Sequence, residues 1–235
     1  EKKYLVDSLK LDEHTLNSAL DPDEISRLEF EPEHIAIIMK RPKNYSSKHL
    51  LAFKVTSIGV YIFSDKIILV LAEDIPIFEG KTFDKTITLK DVTLKIVQKS
   101  VFHFFEHLKT ISMILDELES KMNRSMQNKY LLNLFTLEKS LVYYLSAINS
   151  NMLVIEKMKT NAAKFGFNSE KLEFLDDIKI ENSQCNKQAE IYSSIIECMM
   201  DARASIVSNN INTLMKTLNI ITIGIMLPSL VVGIF

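Results

Sequence analysis

The apolar positions of this chain change their period twice. Through the first hundred residues they come in short runs: Ile35–Met39, Leu50–Thr56, Val60–Phe63 and Ile67–Leu71. Runs of that length, rich in β-branched residues and bounded by polar turns, predict strands. Ser64-Asp65-Lys66 sits between the last two like a hairpin turn, and Thr86–Leu89 predicts one strand more. Ahead of them a short helix is predicted from Asp12 to Leu20. Asp21-Pro22 closes it, because proline disfavours helix in the residue before it. The expectation is an α/β (α+β) domain with a mixed sheet and helices over one face.

Near Asp91 the period lengthens. Val97, Val101, Phe104, Leu108, Ile111, Leu115, Leu118 and Met122 alternate by fours and threes, which is the seam of a long amphipathic helix. Asn123–Asn128 reads as a polar turn. A second long helix then carries Leu134, Leu137, Leu141, Leu145, Ile148, Met152 and Ile155 on one face. Two long helices with a short connection predict an antiparallel hairpin. Phe165-Gly166-Phe167-Asn168 ends it, with glycine as the C-terminal stop. From Ser169 to Lys216 there is neither Gly nor Pro. Ile191, Ile195, Cys198, Ala202, Ile206, Asn209 and Asn212 continue one helical face towards the end of the chain. Polar residues on such a face fix register and oligomer state, so a symmetric oligomer about it is expected.

The third texture is the last nineteen residues, which carry no charge. A run of that length predicts a membrane-spanning helix. From Asn212 onward the polar, small and methionine residues fall on one stripe: Asn212, Met215, Asn219, Thr222, Met226, Ser229 and Gly233. A membrane helix with such a stripe turns it away from lipid. The stripe either lines a water-filled pore or packs as a seam of small residues against another helix. Pattern alone favours the seam. The organisation read from the chain is thus an α/β domain over 1–95, a helical hairpin over 96–168, a stalk helix over 169–216 and a first membrane span over 217–235.

Composition narrows the functions. A net charge of −2 with no basic cluster excludes a nucleic-acid binder. Five Gly and five Pro among 235 residues fit long regular elements. Cys185 and Cys198 make no CxxC pair and read as two reduced thiols on one helix. The charged, mixed start EKKYLVDSLK is not a signal peptide. His103 and His107 occur as H-F-F-E-H, not the H-E-x-x-H of zinc proteases, and because Phe104 and Phe105 between them belong to a buried seam the pair reads as structural. With no glycine-rich phosphate loop and no G-x-S-x-G, an enzyme has no residues to stand on. Two carboxylate groups remain, Asp21-Asp23-Glu24 and Asp176-Asp177. Each either binds a hard cation such as magnesium across a subunit boundary or caps a helix; capping is the commoner use.

At the final helix the sequence resembles a known family. Ser208-Asn209-Asn210-Ile211-Asn212-Thr213-Leu214-Met215-Lys216-Thr217-Leu218, then an apolar run with Pro228 ending Gly233-Ile234-Phe235, is similar to the CorA-type magnesium transporters. In that family the run G-I-Y/F is followed at once by the signature G-M-N. Leu20-Asp21-Pro22-Asp23-Glu24 with Arg27 resembles its N-terminal domain, and Leu131–Tyr144 resembles its second long helix. The resemblance implies a homopentamer in the cell (inner) membrane, multi-pass when complete, with residues 1–216 cytoplasmic. It implies that the stripe lines the pore. Asn212 takes the pore mouth, Met215 and Leu218 the hydrophobic gate, and Met226 and Gly233 narrow points. Asn219 and Thr222 offer oxygens to a hydrated cation. Asp177 matches a regulatory divalent site between neighbouring subunits, with Asp21 or Asp23 as the partner carboxylate. Magnesium is the implied ion. A zinc or cobalt/nickel transporter on the same scaffold and a tail-anchored scaffold protein are the alternatives.

Overall fold

The structure is a computed structural model that describes residues 2–43, 51–73, 75, 77, 78, 83, 88–124 and 128–234. It divides into two compact units, Glu1–Ser193 and Ser194–Phe235.

In the first unit, α1 (Lys2–Asp7) and α2 (Glu13–Leu20) lead into the strands β1 (Arg27–Phe30), β2 (Ile35–Pro42), β3 (Val55–Ile62) and β4 (Ile67–Leu71). Helix α2 starts where the sequence predicts. The Asp12 carboxylate accepts the Thr15 N–H at 2.8 Å, which satisfies one of the donors left over at a helix N-terminus. The strands form one sheet in the order β1-β2-β3-β4. All three pairings are antiparallel, where a mixed sheet is expected. The four-residue links 31–34 and 63–66 explain the β1–β2 and β3–β4 pairings, being too short for a parallel crossover. Two predicted runs merge: Val60–Phe63 and the end of Leu50–Thr56 belong to one strand, β3, joined through Ser57-Ile58-Gly59. Thr86 and Ile87 lie outside the described residues, and Leu89 already belongs to a helix.

Helices cover both faces of the sheet, not one. Ala36, Tyr61 and Val70 pack with Leu11, Leu16 and Ala19 on the α2 side. The Tyr61 hydroxyl donates to the Thr15 carbonyl at 2.9 Å. Gly59 lets α2 approach, because a Cβ there would meet the Ala19 Cβ at 2.5 Å. On the opposite face lie α3 (Leu89–Arg124) and α4 (Asn128–Thr160). Cover on both sides is why β2 reads as the continuous apolar run Ile-Ala-Ile-Ile-Met.

The expected hairpin forms, with residues 125–127 of the polar turn outside the described part. Val97, Val101, Phe104, Leu108, Ile111, Leu115 and Leu118 are buried as predicted. On α4 the buried face departs from the prediction: it passes through Tyr144 and Asn151, not Leu145 and Met152. A single turn, α5 (Ala162–Phe165), follows, capped by Gly166 at φ +63°. There a left-handed backbone favours glycine. Then α6 runs from Ser169 to Ile234 without a break. Within the first unit it lies along the hairpin. Asn182 donates to the Ile148 carbonyl at 3.0 Å, and Lys171 pairs with Asp91 at 2.7 Å. Cys185 is buried there, which pushes its thiol up to about 12, while Cys198 is exposed.

The H-F-F-E-H segment is structural, as its pattern predicts. The His107 ring nitrogen Nδ1 lies 2.6 Å from the Tyr144 hydroxyl, and Phe104 sits edge-on to Tyr144 at 5.2 Å. Burial, then His107 and Arg41, pushes the His103 imidazole down to about 3; burial and Arg41 push His107 to about 4. Both rings are therefore neutral when folded and charge near pH 6.5 when unfolded. Between those limits the unfolded chain binds more protons, so stability falls as pH drops from about 6.5 towards 4. The denaturation midpoint is expected to follow that slope, and His103→Gln is expected to flatten it. A midpoint that does not change between pH 7 and 5 contradicts the assignment.

Candidate functional site

Most of the candidate residues lie in two places. The first is a surface cavity of about 370 Å³ in the first unit, lined by Asp91, Lys95, Glu170, Lys171, Glu173 and Asp177 among others. Asp91 is already engaged: Lys171 and the Thr88 hydroxyl and N–H hold its carboxylate, lowered to about 2 against the pull of burial. Asp176 pairs with Lys159 at 2.5 Å. Asp177 lines the cavity, and among the described residues no hydrogen bond or ion pair holds its carboxylate. Neither Asp176 nor Asp177 caps a helix. The α6 N-cap is Asn168, whose side chain accepts the Lys171 N–H at 3.0 Å.

Asp21 and Asp23 lie elsewhere, in the turn after α2. The Asp21 carboxylate accepts the Asp23 N–H at 2.9 Å, and the turn faces the Lys40 ammonium, which donates to the Pro22 carbonyl and the Ser57 hydroxyl at 2.8 Å. The fold of one chain therefore does not bring Asp21 or Asp23 to Asp177. No group of three or more metal-capable side chains forms among the described residues. The donor chemistry still fits magnesium, a hard cation that keeps most of its waters and takes one or two carboxylates. Sequence reading missed Glu181, one helical turn beyond Asp177. One of its carboxylate oxygens is buried without a hydrogen-bond partner; burial pushes the group up, against a Gln98 side-chain hydrogen bond that lowers it, and the Asp177 charge adds to the rise. The i, i+4 spacing of two acids on one helix was the available signal.

The second place is the far part of α6, in the second unit. Asn212, Met215, Leu218, Asn219, Thr222 and Met226 are all exposed in the single chain. The Thr222 hydroxyl donates to the Leu218 carbonyl at 2.8 Å, and Ser229 does the same to Ile225 at 2.9 Å. These bonds satisfy each O–H within its own helix and leave the oxygen lone pairs outward. A Cβ at Gly233 would meet nothing within 4 Å. Helix α6 continues through Pro228, whose nitrogen cannot donate. Among the described residues α6 is the one helix long and apolar enough to cross a membrane.

A sheet-and-hairpin domain is followed by a helix that runs unbroken into an uncharged, polar-striped stretch long and apolar enough to cross a membrane. The chain belongs to the CorA-like Mg2+ transporter family, whose model matches residues 1–235. It is similar to the cobalt/magnesium transport protein CorA of Methanocaldococcus jannaschii, 23% identical, covering 94% of this chain and 70% of that protein. The complete structure of the CorA magnesium transporter from the same organism superposes with a TM-score of 0.80, at 21% identity over 94% of this chain and 71% of that one. The ZntB cytoplasmic domain from Vibrio parahaemolyticus shares the fold, with a TM-score of 0.68 at 12% identity over 87% of this chain and 82% of that one.

Proposed function

We infer that the chain is one subunit of a homopentameric magnesium transporter of the cell membrane, with residues 1–216 on the cytoplasmic side. The observation that carries this reading is the unbroken α6. Its first part packs in the folded domain, and its last part is an uncharged span with the polar stripe. Five copies of such a helix can turn Asn212, Asn219 and Thr222 inward to replace part of an ion's hydration shell. Met215 and Leu218 form a ring that blocks a hydrated ion by dewetting. The face through Ile191, Ile195 and Ile206, exposed in the single chain, is covered in such a ring. Influx follows the membrane potential, at about 2.3 kcal/mol per charge per 100 mV.

Regulation is assigned to Asp177, with Asp21 or Asp23 of a neighbouring copy. A divalent ion between them offsets carboxylate repulsion, holds the ring symmetric and keeps the gate shut. Loss of the ion at low cytoplasmic magnesium loosens the ring. In liposomes holding the full-length protein, uptake is expected to fall as internal magnesium rises through the millimolar range. Asp177→Ala is expected to keep uptake high under the same internal magnesium. Unchanged closure in that variant removes the site assignment, and absence of any divalent flux removes the transport reading. Cobalt is the second ion to test, because the similar archaeal protein is a cobalt/magnesium transport protein.

A further inference from the structure

Lys40, on β2, is 5% exposed, yet among the described residues no carboxylate lies within ion-pair distance of its ammonium. Its two hydrogen bonds go to neutral groups at 2.8 Å each: the Pro22 carbonyl and the hydroxyl of Ser57, its cross-strand neighbour on β3. That hydroxyl donates its own O–H to the Asp21 carbonyl. The ammonium is thereby tied to the backbone of the turn that carries Asp21, Asp23 and Glu24. Burial disfavours its charge, and the charges of those three acids support it from a distance. A buried charge is costly unless compensated, so the lysine and the acidic turn are each other's counter-charge. Arg27, the other cation beside the turn, is already engaged, with Glu24 at 2.6 Å and with Glu29 at 2.8 Å. Asp21 and Asp23 are exposed. Lys40 therefore stands behind these two carboxylates on the protein side, while a cation from solution meets them from the water side.

We propose that Lys40 is a resident competitor of the divalent ion at the subunit boundary, and that it sets the magnesium level at which that boundary fills. This role rests on the assignment of the boundary site to Asp177 with Asp21 or Asp23. When the site is empty, the ammonium offsets part of the repulsion between Asp21 and Asp23 and keeps their turn in place. When the site is filled, a divalent and a monovalent cation face each other across the same carboxylates. The interior between them screens their repulsion less than water does. Lys40 thus stabilises the empty site relative to the filled one. A sensor needs that weakening, because it must release its ion when the ion becomes scarce.

Lys40→Gln removes the charge and keeps N–H donors for Pro22 and Ser57. In liposomes holding the full-length protein, this variant is expected to close at internal magnesium about tenfold lower than the native chain does. Lys40→Arg, which keeps the charge, is expected to close near the native level. A change that merely loosens the turn moves closure to higher magnesium, so the direction of the shift separates charge from structure. Closure of folded Lys40→Gln at the native level or above overturns the role of Lys40. The boundary site itself survives that result if Asp177→Ala still abolishes closure. Native protein whose uptake ignores internal magnesium removes the boundary site, and the role of Lys40 with it. If Lys40→Gln does not fold, the native chain decides, with lysine Cε labelled for NMR and the Lys40 signal identified by its loss in Lys40→Arg. Magnesium is expected to move that signal saturably, and Asp177→Ala to shift the movement to higher magnesium. A Lys40 signal that stays in place at saturating magnesium overturns the proposal.

Discussion

Thr222→Lys is expected to abolish divalent cation flux while leaving the protein folded and inserted. Thr222 lies on the stripe of α6, and its hydroxyl is satisfied by the Leu218 carbonyl within the helix. The substitution therefore removes no tertiary contact. In the proposed ring it places one ammonium per copy on the ion's path. A unit charge and a divalent ion about 5 Å apart repel by about 7 kcal/mol at an effective dielectric constant of about 20. That is roughly five powers of ten in rate for one lysine, before the other copies are counted. Thr222→Ser keeps the oxygen and is expected to transport normally. Ile220→Ser, off the stripe, is expected to do the same. Liposome uptake with a magnesium-sensitive dye reads all three. Near-native flux through Thr222→Lys removes the stripe from the conduction path.

Asn151→Ala is expected to give the largest loss of stability of any single change in the domain. Asn151 is wholly buried on α4. Its side-chain oxygen accepts the Lys40 N–H at 2.8 Å and the Ser26 hydroxyl at 2.9 Å, and its NH2 donates to the Lys40 carbonyl at 2.7 Å. Strand β1 pairs with β2 only as far as Ile38, opposite Arg27. Beyond that point the Asn151 amide stands in for the missing strand and completes the Lys40 backbone. Alanine strands both Lys40 groups and the Ser26 hydroxyl in the interior, at about 1–3 kcal/mol each. A loss of about 4 kcal/mol is a large share of the total stability of a domain. A melting temperature about 10 °C lower is the corresponding readout. Asn151→Leu, which restores volume without polarity, is expected to be no better. A shift of only one or two degrees in both variants shows that water satisfies Lys40 instead.

These two residues also divide what could be read in the chain from what could not. Period and punctuation are local properties, and they determined most elements. Asp12 and Pro22 bound α2, the 3-4 apolar rhythm placed the seam of α3, and Gly166 marked the stop before α6. The absence of charge after Lys216 marked the span, and the stripe through Thr222 was legible because helical geometry alone puts those positions on one face. Resemblance on the 208–235 stretch then pointed to the family.

What the chain by itself left open depends on partners far apart in sequence. Strand direction, the merging of two runs into β3 and the covering of both sheet faces are set by which surfaces must be buried together. The buried side of α4 runs through Tyr144 and Asn151 because each finds a polar partner, His107 and Lys40, on another element. A periodicity count treats both as surface residues. The same holds for the sites. Sequence singled out Asp176 and Asp177 alike, and only the packing of α4 against α6 pairs Asp176 with Lys159 and leaves Asp177 facing a cavity. Only the closure of α3 over β2 removes Arg41 from water, which is a property of the folded domain and not of the stretch that carries it.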